Sequence, residues 1–497
     1  MKTKIGILSG FLVFCSVILY SQGMIIQQGA SVNVTGGVKL IIDGATKGKL
    51  TIKSTSAGTG SLVVDNNARS SVNVPSNNSY VERYLVPEQW HYISSPISNG
   101  LSEIFTGDYL RASDQTTSNG WGPYIISTTD PLAVMGGYSV WKPTANANWK
   151  EVFNGDLNNG DLFINVGVSG SGPWAGWSLV GNPYPCPINL LRGLTWKDVD
   201  PTVWFWNGAK GNYECTTFPP GDDPRTGGTH SGIVPAMQGF FVHATSETAS
   251  VAITNASRIH STETFLKSSP NPHLVIRAEW TGNFYSDMIS VDFNPDATAN
   301  YDPGYDAYKL TGLNEAPQLW TKINDTSVTC NSLPFSQSEM TVPMGFSSGL
   351  SGDYTLTAGN LETFDPATSV SLEDLLLNIS RDLKIDPVYN FTYDTQDGRE
   401  RFLLHFNNPS MGSPQEQSLA QPLQVYSCNN IIYVRNTGVN PMNGKMSVYD
   451  PLGRELFTSG LIDAPVSKYE VNLSTGYYVV MAMTTESTCS KKVFITR

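Results

Sequence analysis

The sequence predicts an all-β protein made of several small domains, and three observations carry that prediction. Between residues 24 and 80 the apolar side chains fall on even positions: Val32 and Val34, Val38, Leu40 and Ile42, Leu50 and Ile52, Leu62 and Val64, Val72 and Val74. That period of two is the mark of strands with one buried face. The composition agrees. Charged residues make up only 15% of the 497, while 45 glycines and 30 prolines supply turns throughout, which suits extracellular β-domains better than a helical enzyme. From 423 to 497, short runs such as Ile431-Ile432-Tyr433-Val434, Tyr477-Tyr478-Val479-Val480-Met481 and Lys491-Lys492-Val493-Phe494-Ile495 alternate with Gly, Pro and Asn signals. Near-regular spacing of this kind predicts a small Ig-like sandwich.

Taken in order, residues 1–23 read as a secretory signal. Met1-Lys2-Thr3-Lys4 is basic, Ile5 to Tyr20 is apolar but too short to span a membrane, and Ser21-Gln22-Gly23 provides small and polar residues for cleavage. Residues 24–80 form a strand-rich leader broken at Gly36-Gly37, Asp43-Gly44 and Gly58-Thr59-Gly60. Its narrow apolar rows could stack as coils of a β-solenoid or pair as a meander; the solenoid is preferred, because each coil hands its row to the next. Residues 81–265 hold most of the aromatic strings: Gln89-Trp90-His91-Tyr92-Ile93, Gly137-Tyr138-Ser139-Val140-Trp141, Gly181-Asn182-Pro183-Tyr184 and Gln238-Gly239-Phe240-Phe241. Residues 266–408 are marked by Asp302-Pro303-Gly304-Tyr305-Asp306, Tyr389-Asn390-Phe391-Thr392-Tyr393 and Arg401-Phe402-Leu403-Leu404-His405-Phe406. Within them Leu372, Leu375, Leu376, Ile379 and Leu383 fit helical spacing, whereas Asn378, Ser380 and Asp382 suit a turn between strands. The polar stretch 409–422 reads as a linker.

The tail also carries a resemblance. Val448-Tyr449-Asp450-Pro451-Leu452-Gly453-Arg454, Leu473-Ser474-Thr475-Gly476-Tyr477-Tyr478-Val479 and the closing Lys491-Lys492-Val493 resemble the C-terminal sorting domain of type IX secretion cargo. The resemblance implies a sorting signal on Gly453, Arg454, Leu473, Gly476, Tyr478, Lys491, Lys492 and Val493. It also implies passage through the inner-membrane general secretion machinery and then the type IX outer-membrane translocon, ending outside the cell or on the outer-membrane surface. The upstream segments look like β-domains of unknown activity found in such cargo. That implies a jelly-roll-like sandwich for 81–265, a second sandwich for 266–408, and a strand and turn near Asn378 in place of a helix.

Charge narrows the partners. With 31 basic against 43 acidic residues, the surface argues against nucleic acid and anionic membranes. Five cysteines follow the signal. An oxidising compartment would allow Cys186–Cys215 and Cys428–Cys489 as pairs within domains, leaving Cys330 over.

Chemistry is sparse. The sequence contains no Gly-x-Ser-x-Gly elbow, His-Glu-x-x-His pair, phosphate loop or dinucleotide fingerprint, and its six histidines are scattered singly. Catalysis is therefore not expected, and no cofactor is implied beyond structural calcium at Asp296, Asp302 and Asp306. Asp156-Leu157-Asn158-Asn159-Gly160-Asp161 resembles a calcium loop but lacks the closing carboxylate, with Gly167 at the twelfth position, so a hairpin turn at Asn159-Gly160 is the better reading. Four tryptophans are candidates for a ligand platform. Trp204 and Trp206 alternate on one strand, and Trp174 and Trp177 flank Gly176. Open, they would stack on sugar rings; closed, they fill the core. The expected function is an exported, non-catalytic, adhesin-like surface or secreted protein binding a glycan or host-surface ligand. The alternative is a carbohydrate-binding module accompanying secreted hydrolases, and a hydrolase with an unrecognised site comes third.

Overall fold

The computed structural model describes residues 23–495 except 28–29, 35–39, 42–48, 65–71, 74–77, 145–148, 219–226, 229–231, 261–271, 335–338, 408–422, 429, 437–442, 451–452, 462–465, 475 and 485–487. Residues 1–22 of the expected signal (1–23) and the expected linker 409–422 lie outside the described residues. The protein is all-β, with only short 3-10 turns between strands among the described residues. It divides into two compact units. One contains the chain up to 209 with 218–226 and 230–267; the other contains 210–217, 227–229 and everything from 268.

The leader opens the first unit, and its pairings are parallel. Gly23–Ile26 pairs with Lys49–Ile52, which pairs with Ser79–Tyr84. Ser31–Val34 pairs with Ser61–Val64, and Leu40–Ile41 with Val72–Asn73. A meander of hairpins would give antiparallel neighbours; parallel stacking of one coil on the next is the solenoid geometry. Of the even positions whose burial is described, Ile26, Leu50, Ile52 and Leu62 are essentially inaccessible, and Val32 is half-buried against the same core. Lys150–Gly155 then adds antiparallel to Ser79–Tyr84, so the leader's sheet continues into the aromatic domain.

Three larger sheets build that domain, with Ile188–Asn189 and Ile233–Val234 pairing as a small fourth. Trp90–Ser94, Gly137–Trp141 and Tyr109–Ala112 form one; Trp177–Gly181, Gly239–His243 and Thr202–Asn207 lie in a second. Leu162–Asn165, Ser250–Ile253 and Leu194–Lys197 form a third. The most distinctive strings are packing devices. Asn182 is fully buried and donates from Nδ2 to the carbonyls of Cys186 and Pro235, while its Oδ1 accepts from the Tyr184 amide. Tyr184 donates its hydroxyl to Gly160 and Ile253 carbonyls. These bonds satisfy polar groups that burial would otherwise penalise by about 1–3 kcal/mol each. At Gly239 a Cβ would sit 2.9 Å from the Tyr92 Cβ, so only glycine lets the two sheets approach. One local expectation is corrected. Gly160 does turn the chain, with φ of 79°, but the flanking strands Lys150–Gly155 and Leu162–Asn165 join different sheets and make no hairpin.

The second unit contains one long sheet. Its strands run in the order Ile379–Asp382, Ser369–Asp374, Phe402–Asn407, Glu339–Ser347, Gln318–Ile323, Thr326–Leu333, Ser286–Phe293, His273–Trp280, Gly352–Gly359, Val388–Tyr393. The sheet curls until its ends meet: the Tyr389 hydroxyl donates to Asp374 at 2.9 Å, and Arg401 donates to the Thr392 carbonyl at 2.8 Å. The two layers expected of a sandwich are thus two halves of one near-barrel sheet, enclosing Leu274, Ile276, Phe346, Phe391, Phe402 and Phe406. Residues 369–382 form an antiparallel hairpin, as the turn residues required, with Asn378 at φ of 55°. The helical spacing of the leucines was coincidental.

Residues 423–495 form the C-terminal sandwich in this unit. Leu423–Cys428, Ile431–Asn436 and Val466–Glu470 make one sheet; Glu455–Gly460, Gly444–Tyr449, Gly476–Thr484 and Thr488–Ile495 make the other. Val425, Ile432, Val448, Tyr478, Val480 and Val493 fill the space between.

The cysteine expectation needs revision. Cys186 is buried in the first unit, while the Sγ of Cys215 lies 2.8 Å from that of Cys330 in the second. Cys330, expected to be left over, is the neighbour that strand placement gives to Cys215. Cys489 is half-buried, and the Cys428 side chain lies outside the described residues.

Candidate ligand-binding face

The sequence-predicted platform separates into core and rim. Trp204 is inaccessible and Trp177 is 7% exposed, their rings 4.7 Å apart at 71°. Large aromatics at such depth hold the domain together and present nothing to a ligand. Trp174 is half-buried, packed against Trp177 and Phe241 and over Gly120. Trp206 is half-buried too, with its Nε1 donating to the Trp90 carbonyl at 2.9 Å. The four do not form an open groove.

A different aromatic face is partly open, closed at Tyr92 and exposed at Tyr109. It belongs to the sheet of Trp90–Ser94, Gly137–Trp141 and Tyr109–Ala112. In register, Trp90 sits opposite Trp141, and Trp141 opposite Tyr109. Because side chains alternate across a strand, these three share a face with Tyr92 and Arg111. Trp90 and Trp141 pack at 5.4 Å. Tyr109 is 53% exposed and packs edge-on against Tyr124, itself 47% exposed.

Arg111 is the polar centre of this face. Its guanidinium lies 4.8 Å from the Trp90 ring, 4.6 Å from Trp121 and 5.6 Å from Tyr124. Stacking between rings holds the planar cation in place and is worth roughly 0.5–2 kcal/mol per contact. The Nε of Arg111 is buried without a hydrogen-bond partner, and no carboxylate among the described residues pairs with the side chain. An aromatic row with an uncompensated guanidinium at its edge suits a ring-shaped ligand bearing an acceptor or negative charge. An open cleft of about 380 Å³ lies beside it, lined by Ala112, Ser113, Asp114, Gln115, Gly122 and Pro123 among others. Gln115 is already occupied there, donating to the Gly167 carbonyl and Ser178 hydroxyl and accepting from the Ser169 and Gly176 amides.

The remaining candidates are structural. Asp306 is buried and accepts from the Asp302 and Ser332 amides; Asp302 accepts from the amide and hydroxyl of Thr298. The carboxylates of Asp296, Asp302 and Asp306 do not converge, and no cluster of three or more His, Cys, Asp or Glu among the described residues is arranged to hold a metal. The calcium expectation is therefore withdrawn. Backbone amides and the Thr298 hydroxyl already use the carboxylate oxygens of Asp302 and Asp306. His91 bonds the Val86 carbonyl through Nε2, and burial lowers its pKa. His243 is paired through Nδ1 with Asp200 at 2.6 Å.

Among the residues expected to carry a sorting signal, Gly453 adopts φ of 82° and its amide bonds the Asp450 carbonyl, while Arg454 donates to the Asp450 carboxylate at 2.7 Å. Tyr478 is buried and donates to the Ser474 carbonyl. Gly476 is half-buried at the start of its strand, with Leu473 packed on the core just before it. Val493 is buried, while Lys491 and Lys492 point outward; Lys492 lies over the Tyr477 ring and Lys491 pairs with Glu339.

No curated protein matches the chain. Among solved structures it is similar to one titled "Biofilm associated protein - BSP domain", at 8% identity and a TM-score of 0.19, over 84% of this chain and 92% of that one. A likeness that slight carries no argument. A family model does match, over residues 15–406, ending before the C-terminal sandwich. The chain belongs to the family described as Domain of unknown function (DUF8693).

Proposed function

We propose that this protein is an exported, non-catalytic, adhesin-like protein of the cell surface or surrounding medium, which binds a saccharide through the Trp90–Trp141–Tyr109 face. The observation that carries the reading is the Arg111 guanidinium, held between Trp90 and Trp121 with no counter-ion among the described residues. Sugar C–H faces stack on the rings, and the guanidinium donates to an acidic or acceptor-bearing substituent. The C-terminal sandwich acts as the address. The general secretion machinery carries the chain across the inner membrane and the type IX translocon across the outer one. The end of the family match at 406 supports this division, since it leaves the sandwich as a separate module.

The same exposed ring row favours a second reading, in which the face docks the protein on polysaccharide for a separate hydrolase. Both readings share one test. The purified chain, screened on neutral and acidic glycan arrays, is expected to bind at least one saccharide. Trp141→Ala and Arg111→Ala should each weaken that binding tenfold or more, about 1.4 kcal/mol. Unchanged binding by both variants would overturn the site. The address is tested separately: deletion of 423–497 should strand the protein in the periplasm, and normal surface display of the truncate refutes it.

A further inference from the structure

We propose that Cys215 and Cys330 are joined by a disulfide in the mature protein. The inference is independent of the ligand-binding reading. Cys215 lies in Asn212–Thr217 and Cys330 in Thr326–Leu333, 115 positions apart in sequence and both fully inaccessible. Their sulfurs are 2.8 Å apart. Even carbon atoms rest in contact at about 3.5–4.0 Å, and sulfur is larger, so two unbonded thiols are crowded here. Bond formation relieves that crowding without moving either strand far.

The surroundings favour the bonded form. Ser290 and Ala307 stand opposite Cys330 on the neighbouring strands. Burial, with Cys215 alongside, raises the Cys330 thiol well above its usual pKa. A thiolate is therefore disfavoured in the folded state. The bond must form before the two strands close over it, while both thiols are still accessible. The chemistry balances with an external disulfide as oxidant, such as an oxidoreductase of an oxidising compartment or oxidised glutathione. Thiol–disulfide exchange forms the Cys215–Cys330 bond, two electrons and two protons pass to the oxidant, and its disulfide leaves as two thiols.

The bond would fix the segment 210–217 to the curled sheet of the second unit, a long-range link whose loss should free much chain entropy. Cys186 is buried in the first unit and so does not compete for either partner, both of which lie in the second.

The test is peptide mapping of the full chain. One sample is purified from an oxidising compartment; another is unfolded and refolded with oxidised glutathione. Each is denatured with an alkylating agent, without reductant, and digested. A peptide linking Cys215 to Cys330 is expected in both, lost on reduction, with Cys186 alkylated. Reduction should also lower the melting temperature by on the order of 10 °C, and Cys215→Ser should release Cys330 for alkylation. Alkylation of both cysteines in both samples, or a Cys186–Cys215 link, overturns the proposal; a link in the refolded sample alone would show that the bond forms but that the exported chain does not meet the oxidant, overturning it for the mature protein.

Discussion

Trp90 and Trp141 stand directly opposite each other on antiparallel strands, their rings 5.4 Å apart and both only half-buried. Trp204, by contrast, is inaccessible and packs on Trp177. The two environments assign different work to the same residue type. Trp204→Ala should leave a large cavity and cost about 3–5 kcal/mol of stability. Trp141→Ala should cost less, because part of the area it loses is exposed already. Denaturant unfolding of the two variants measures the difference. Equal losses would place Trp141 in the core and remove it from the ligand face.

That contrast also shows where the sequence was readable. The leader's even-position rule survived folding because one buried face forces a period of two, and a one-residue slip would expose every apolar side chain. The Asn378 turn was readable for a similarly local reason, a residue that tolerates the left-handed region between two strands. Exposure of tryptophans was not readable. Trp204 and Trp206 alternate as a platform would, but alternation specifies a shared face and leaves open what covers it. The partly open face is assembled from Trp90, Tyr109, Arg111 and Trp141, which strand pairing alone brings together. Its only local trace is the alternation of Trp90 with Tyr92, Tyr109 with Arg111 and Ser139 with Trp141. Nor could spacing pair Cys215 with Cys330, since the chain leaves the second unit and returns to it between them.

A buried ionic cluster gives a second prediction. Lys142 is 1% exposed and donates to Glu151 and, at 3.1 Å, to Asp108; both side chains are also buried. Burial raises the Glu151 pKa to about 7, against the opposing pull of Lys142. Lys142→Met would leave two carboxylates facing each other without a cation. It should destabilise the protein by about 3–5 kcal/mol at pH 7.5, and part of that loss should return near pH 5, where Glu151 takes up a proton. Chemical denaturation at the two pH values checks it. A loss that does not depend on pH would mean that Lys142 contributes through packing alone.

Asp306 supplies a pH dependence of its own. Burial pushes its carboxyl up to about 7, outweighing the amides of Asp302 and Ser332 that favour the charged form, while the charges of Asp302 and Asp292 push it up further. Its unfolded value is near 3.8. The folded state therefore holds the proton more tightly, and this contribution to stability is present at low pH and lost as pH rises from about 4 to 7. At about 1.4 kcal/mol per pKa unit, the group accounts for up to about 4 kcal/mol across that window. Asp306→Asn cannot ionise, yet it keeps one acceptor oxygen for two backbone donors. The variant should be less stable than the parent at pH 4.5, by about 1–3 kcal/mol for the unmet amide. The gap should narrow or reverse by pH 7.5. Unfolding free energies of both proteins across this range give the difference directly, with contributions from other groups cancelling. A gap that stays constant from pH 4.5 to 7.5 would show that Asp306 ionises in the folded protein as it does in the unfolded chain.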